Sequence, residues 1–307
     1  MILDYKQIDP ELLAPLENFP PFGIARDKMD DIRAMVAAMP QPPKPKGLLE
    51  ARSTIETKNG SVDVYVYRKS TRPYQPAVLW IHGGGYVMGA PDDIRAMGIA
   101  MEFDCTLFSV DYRVAPEHPF PAAPEDCYAA LTWLMSGDSG YDIDTSRVVL
   151  AGPSGGGGLA AGVALMNRDR ADFPLRLQLL IYPMLDNLHG TISGEYENHP
   201  VWNRGDSDNA WEMYLDGTPG QAASPYASAT RAENLAGLPP TYICVGAVDL
   251  FRDECIEYGT RLMAAEIPTE LAVFPGVYHG AESLAPDAAV SQRMNNSLMQ
   301  ALGDALT

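Results

Sequence analysis

The stretch Arg147-Val148-Val149-Leu150-Ala151-Gly152-Pro153-Ser154-Gly155-Gly156 decides how the chain is read. A short apolar run passes into a serine that has glycine two residues before it and two after it. The small-residue stretch from Gly157 to Leu165 follows at once. The run reads as a buried strand and the stretch after it as a closely packed helix. A strand-to-helix turn this tight forces the serine into a strained backbone conformation. Side chains two positions to either side would collide with the neighbouring strand and helix, so glycine is needed there. The turn gains an exposed hydroxyl aimed into a cleft, with the following backbone N–H groups free at the helix N-terminus. Ser154 is therefore the candidate nucleophile.

Short G-x-S-x-G matches arise by chance, so the pattern needs support from elsewhere in the chain. That support is His82-Gly83-Gly84-Gly85-Tyr86, which follows a second apolar run, Ala77-Val78-Leu79-Trp80-Ile81. Alone, three glycines read as a flexible loop. At the end of a buried strand they leave backbone N–H groups unobstructed, and acyl transfer needs such donors for the oxyanion of its tetrahedral intermediate.

Length and composition bound the rest. The 307 residues suffice for one large α/β domain or two ordinary ones, and a hydrophobic content of 46% fits a globular enzyme. A formal charge of −18 argues against nucleic-acid and anionic-membrane surfaces, which would repel the chain. No apolar run approaches the roughly 20 residues of a membrane span. The opening Met1-Ile2-Leu3-Asp4-Tyr5-Lys6 lacks the apolar core of a signal peptide. Cys105, Cys127, Cys244 and Cys255 lie far apart without C-x-x-C spacing, and so read as buried thiols in a reducing compartment. No metal site and no membrane association are expected, and a cytoplasmic location is.

Along the chain, residues 11–17 and 25–38 read as helical, and the prolines from Pro40 to Pro45 form a semi-rigid connector. Alternating runs at 53–58 and 62–68, joined by Asn59-Gly60, read as an antiparallel hairpin at a sheet edge. Beyond them, short apolar strands are expected at 77–81, 106–110, 147–151, 177–181, 241–246 and 270–274. Helices are expected at 92–102, 123–135, 155–168, 253–265 and 287–302. This alternation indicates a mostly parallel sheet covered by helices on both faces. Residues 186–237 break the rhythm with a polar excursion that holds one helical piece near 208–215. Together with residues 1–45, the excursion reads as a lid or cap over a cleft.

A serine hydroxyl needs a base, and that base works best when a carboxylate fixes its tautomer. The chain offers five histidines. His82 leads the glycine loop and suits a structural hydrogen bond to it. His118 sits in a proline-locked turn, and His189 and His199 fall in the excursion, where surface exposure is the default. His279 follows the last strand and precedes the final helix, and loops at carboxyl ends of strands carry the chemistry of open α/β sheets. It is the candidate base. Asp249 ends the buried run Val245-Gly246-Ala247-Val248 and is the candidate acid. Its rivals Asp253 and Glu254 open the next helix, where negative charge suits the helix dipole. The order serine, aspartate, histidine is that of an α/β-hydrolase.

Five motifs occur in order. They are His82-Gly83-Gly84-Gly85, the stretch from Asp111-Tyr112-Arg113 to Pro121-Ala122-Ala123, Gly152-Pro153-Ser154-Gly155-Gly156, Asp249-Leu250-Phe251-Arg252-Asp253-Glu254, and Tyr278-His279-Gly280. Over residues 48–300 the chain resembles the bacterial hormone-sensitive-lipase-like esterases. The resemblance implies an α/β-hydrolase fold, with residues 48–307 as its core, residues 1–45 as an N-terminal cap segment and a cap insertion at about 186–237. It implies Ser154 as nucleophile, His279 as general base and acid, and Asp249 as its orienting partner. It also implies an oxyanion hole from the N–H groups of Gly84, Gly85 and Gly155. Homodimerisation, common in that family, is a further expectation.

The chain departs from the family at Pro153, where Asp or Thr is usual, and at Gly155, where Ala is usual. Proline removes a side-chain hydrogen bond, and glycine loosens the backbone of an oxyanion donor, so altered preference rather than inactivity is expected. The implied reaction hydrolyses short- to medium-chain acyl esters through an acyl-enzyme and requires no cofactor. Tyr86, Tyr182 and Trp202 are candidates to line an acyl or alcohol pocket, with burial in the core as the alternative. Two rival readings are a dinucleotide fold built on Gly155-Gly156-Gly157-Gly158-Leu159-Ala160 and a non-catalytic receptor on the same fold. The first gives Ser154 no role, and the second is at odds with the presence of His279.

Overall fold

The computed structural model describes residues 1–170, 173–218 and 220–307. Pro219, inside the expected insertion, lies outside the described residues. One eight-stranded sheet organises the chain, with strands β1 (Leu49–Thr57), β2 (Gly60–Arg68), β3 (Gln75–Ile81), β4 (Thr106–Asp111), β5 (Ile143–Pro153), β6 (Leu177–Ile181), β7 (Thr241–Gly246) and β8 (Thr269–Phe274). Their order across the sheet is β1-β2-β4-β3-β5-β6-β7-β8. The Asn59-Gly60 turn makes β1 and β2 an antiparallel pair at the sheet edge, and β2 pairs antiparallel with β4. All other neighbours are parallel.

The helices are α1 (Met29–Ala37), α2 (Ile94–Phe103), α3 (Ala122–Met135), α4 (Gly155–Arg170), α5 (Arg204–Leu215), α6 (Arg252–Ala264), α7 (Ala281–Leu284) and α8 (Ala289–Leu306). The chain leaves β3 for β4 on one side, then returns across β3 to β5 on the other. Right-handed crossovers therefore send α2 to one face and α3, α4 and α6 to the opposite one. Helix α8 joins α2, and α3 packs on α4. With both faces covered, every residue of β3, β6 and β7 is buried. The reversal at β3 leaves a crevice beyond the carboxyl ends of β3 and β5, where such sheets bind ligands.

Three expectations need correction. The N-terminal stretch at 11–17 forms the 3₁₀ turns Pro10–Leu12 and Ala14–Asn18 instead of a helix, whereas that at 25–38 is helical as expected, a short 3₁₀ turn Arg26–Lys28 running into α1. Pro10, Pro15, Pro20 and Pro21 interrupt any longer helix. Strand β5 starts at Ile143, earlier than its apolar run, because Arg147 pairs with Asp144 and Ser146 bonds to the same carboxylate, satisfying the polar residues. His189 and His199 are 2% and 5% exposed rather than on the surface. His199 hydrogen-bonds the Val248 and Ser193 carbonyls, and His189 faces Glu254.

The N-terminal segment and the excursion are tied to each other. Asp206 accepts from the Ile24 N–H at 2.6 Å, Asn209 donates to the Ile24 carbonyl at 2.7 Å, and Asn198 accepts from the Leu3 N–H at 2.7 Å. Arg33 of α1 holds the loop after β3 through the Val87 carbonyl and the loop after β4 through Ala115 and Glu117.

Candidate active site

Ser154 occupies the single residue between β5 and α4 and takes φ of +55°, the strained left-handed conformation that the turn demands. A Cβ at Gly152 would stand 2.6 Å from the Ile81 carbonyl oxygen, and one at Gly156 would overlap the same oxygen. That close approach is what the two flanking glycines permit. The elbow is gripped from β6, because the Ser154 N–H donates to Ile181 at 2.8 Å and the Ser154 carbonyl accepts from Met184 at 3.0 Å. Ser154 is 8% exposed. Its hydroxyl is turned toward an imidazole rather than toward open solvent.

That imidazole is His279, whose Nε2 lies 2.9 Å from Ser154 Oγ, while its Nδ1 lies 2.9 Å from Asp249 Oδ2. Asp249, fully buried in the turn after β7, accepts the Phe251 N–H through its other oxygen at 3.0 Å. Phe251 and Tyr182 meet the imidazole edge to face at centroid distances of 5.1 and 4.6 Å. Three residues separated by 95 and 30 positions in sequence thus form one hydroxyl–imidazole–carboxylate line. An Nδ1 proton held by the carboxylate leaves Nε2 free to accept from the hydroxyl.

The glycine loop comes down beside this line. A Cβ on Gly83 would be 3.6 Å from Ser154 Cβ, and one on Gly155 would be 2.9 Å from the Gly85 nitrogen. Gly84 and Gly85 have φ of +113° and +58°. Among the described residues, the N–H groups of Gly84, Gly85 and Gly155 find no acceptor. His82 steadies the loop through Nδ1 and the Gly83 carbonyl, 2.8 Å apart, and stacks on Tyr112 at 4.2 Å. Burial lowers the His82 imidazole to about 4, so it stays neutral.

The three candidate lining residues are buried. Tyr86 spends its hydroxyl on the Met184 carbonyl at 2.6 Å and stacks on Tyr214. Tyr182 donates to Glu282 at 2.7 Å. Trp202 lies against Gly85, its ring 2.5 Å from where a Cβ would stand. None of the three lines the cavity of about 980 Å³ whose walls include Phe19, Met35, Ile99 and Leu298, with Arg95 and Glu282 beside them, and neither Ser154 nor His279 stands on its wall. That volume is at the upper end for small-molecule sites.

Sequence reasoning missed Arg95 and Glu282, a buried ion pair one layer behind His279. Burial opposes the Glu282 charge, but the Arg95 guanidinium and the Tyr182 hydroxyl outweigh it and hold the carboxyl below its usual range. The one available signal was the position of Glu282, one helical turn after His279. Glu254 is more than a dipole partner, since its buried carboxylate accepts the N–H groups of Leu185 at 2.7 Å and Asp186 at 3.2 Å. The dinucleotide reading does not match the topology, because the glycine turn follows β5 rather than the first strand and Ser154 within it is paired with His279.

A family model described as alpha/beta hydrolase fold matches residues 78–283. Esterase LipI of Mycobacterium tuberculosis is 35% identical over 291 residues, covering 89% of this chain and 87% of its own. Carboxylesterase NlhH of the same organism is 34% identical over 281 residues, covering 89% and 88%. Among solved structures, a bacterial heroin esterase superposes with a TM-score of 0.91 at 34% identity, over 99% of both chains. On this combined agreement of motif order, sheet topology and sequence, the chain belongs to the alpha/beta hydrolase fold family, among the bacterial hormone-sensitive-lipase-like serine carboxylesterases.

Proposed function

We propose that this esterase cleaves short- to medium-chain acyl esters of small molecules through a Ser154–His279–Asp249 triad and an acyl-enzyme. The observation that carries the reading is the pair of 2.9 Å contacts, Ser154 Oγ to His279 Nε2 and His279 Nδ1 to Asp249. Ser154 attacks the ester carbonyl carbon as Nε2 takes its proton. The carbonyl electron pair moves to oxygen, and the resulting oxyanion is held by the N–H groups of Gly84, Gly85 and Gly155, each such donor contributing about 3 kcal/mol to lowering the barrier. His279 then gives its proton to the departing alcohol as the carbon–oxygen bond breaks. In the second half, His279 takes a proton from water, the hydroxide adds to the acyl carbon, and Ser154 leaves with its proton restored. Asp249 stays ionised throughout and steadies the imidazolium.

Residues 1–45 and 186–237 form the cap in this reading, supported by their mutual hydrogen bonds and by Trp202 over Gly85. The mechanism needs no cofactor. The free, buried cysteines support a reducing, cytoplasmic setting, and a homodimer belongs to the same proposal. The experiment is hydrolysis of a short-chain aryl ester by Ser154→Ala. Loss of turnover is expected, and undiminished turnover would remove Ser154 from its role.

A further inference from the structure

A second polar layer touches His279 without entering the reaction above. Tyr182 packs edge to face on the imidazole at 4.6 Å, and its hydroxyl donates to Glu282 Oε1 at 2.7 Å. Arg95 donates to that same oxygen, to Ser283 Oγ at 2.7 Å and to the Tyr182 hydroxyl at 3.4 Å. Glu282 is 2% exposed and Tyr182 5%. The three side chains come from three separate segments of the chain. Glu282 lies in α7, one turn beyond His279. Tyr182 follows β6, within the segment whose Ile181 and Met184 grip the Ser154 backbone, and it is held there at φ of +35°. Arg95 lies in the first turn of α2, and its N–H is capped by Asp93, which also takes the Trp80 indole N–H of β3 at 3.0 Å.

Two hydrogen bonds at its nitrogens leave an imidazole free to swing about the line joining them. An aromatic wall on its flank removes that freedom, provided the wall itself cannot move. A buried ion pair is costly to hold and much costlier to break, because the surviving charge has no compensation. Such a pair contributes little to stability but resists rearrangement, since any movement that parts the charges leaves one of them buried alone. Here it grips the hydroxyl of the ring that flanks His279.

We propose that Arg95, Tyr182 and Glu282 are positioning residues that lock the His279 imidazole over Ser154, and that the balance of charge within the Arg95–Glu282 pair tunes that imidazole. The proposal rests on the triad reading. The groups facing His279 are Ser154 from the elbow, Asp249 and the uncharged Phe251 from the turn after β7, and Tyr182 from the end of β6. Behind them stand Glu282 and Arg95, with Asp93 next to Arg95. The buried thiol of Cys244, pushed up to about 12, feels the same pair.

The test is the pH profile of kcat/KM for a short-chain aryl ester, in the full chain. Glu282→Gln leaves the guanidinium unbalanced behind the Tyr182 ring that flanks the imidazole, so the acid limb should move to lower pH by about half to one unit. The double variant Arg95→Met/Glu282→Gln removes both charges and should return the limb to the wild-type position. Tyr182→Phe keeps the ring but loses its anchor. Its kcat should fall by about tenfold with KM within about twofold, the signature of a misheld catalytic group. Should Glu282→Gln fail to fold, the charge-neutral double variant and Tyr182→Phe carry the test alone. A folded Tyr182→Phe with wild-type kcat, or a double variant whose limb is displaced, would overturn the proposal. These outcomes are separate from Ser154→Ala, which tests the triad itself.

Discussion

Gly155 has two demands on it that an alanine would set against each other. Its N–H is a candidate oxyanion donor, and its Cα lies so near the glycine loop that a Cβ would stand 2.9 Å from the Gly85 nitrogen and 3.0 Å from that of Tyr86. The looseness expected of a glycine there is thus offset by a closer approach of the two donor loops. Gly155→Ala should push Gly85 outward and lower kcat by about tenfold with KM changed by less than about threefold, a partial loss of one donor. Steady-state kinetics on a short-chain aryl ester check this. Asp249→Asn keeps the size of the side chain but presents the wrong group to His279 Nδ1. Turnover should fall by about 10³- to 10⁴-fold, by the tautomer argument.

At the scale of elements, the loop after β3 ties the site to pH through a group that takes no part in catalysis. His82 is neutral in the fold, with its imidazole lowered to about 4 by burial from an ordinary value of 6.5. The folded chain therefore binds fewer protons than the unfolded one between those values, so this contribution is complete above 6.5 and is lost as pH falls toward 4. It amounts to about 2 kcal/mol between pH 7 and 5. Urea unfolding at both pH values should show the stability advantage of wild type over His82→Asn shrinking by about that amount at pH 5. An unchanged gap would mean that His82 is not held neutral. Glu254 does comparable work for the excursion, anchoring the backbone of Leu185 and Asp186 on α6. Glu254→Ala should cost about 2–3 kcal/mol by leaving two buried donors unpaired, read from the same urea midpoints. These features were not legible in advance. Ser154, Asp249, His279 and the glycine loop could be found because each follows the carboxyl end of a strand, where local pattern and chemistry coincide. Glu254, His189 and His199 lie where the backbone is held by side chains, and that pairing follows no period. Pro10 and Pro15 hold residues 11–17 to 3₁₀ turns, an effect that helical spacing alone does not show.

For the molecule as a whole, the reversal of strand order at β3 does most of the positioning. It sets β5 beside β3, so the elbow and the glycine loop open on the same crevice, and it lets β7 and β8 deliver Asp249 and His279 to the same rim. Arg95, Tyr182 and Glu282 meet only because of that order, which is why no local reading of the chain could have joined them. The cavity of about 980 Å³ lies under the N-terminal segment, walled by α2 and α8. With the site enclosed beneath the two tied segments, a panel of aryl esters of graded chain length should peak at short to medium acyl groups and fall for long ones, whereas a flat or rising series would contradict the chain-length proposal. The most direct measurement of the central claim is mass-spectrometric mapping of a fluorophosphonate probe on the full chain, with activity followed in parallel. Stoichiometric phosphonylation of the peptide that carries Ser154, rising in step with loss of turnover and absent from Ser154→Ala, is the predicted result. Inactivation with the label on another residue, or full labelling with turnover intact, would contradict it.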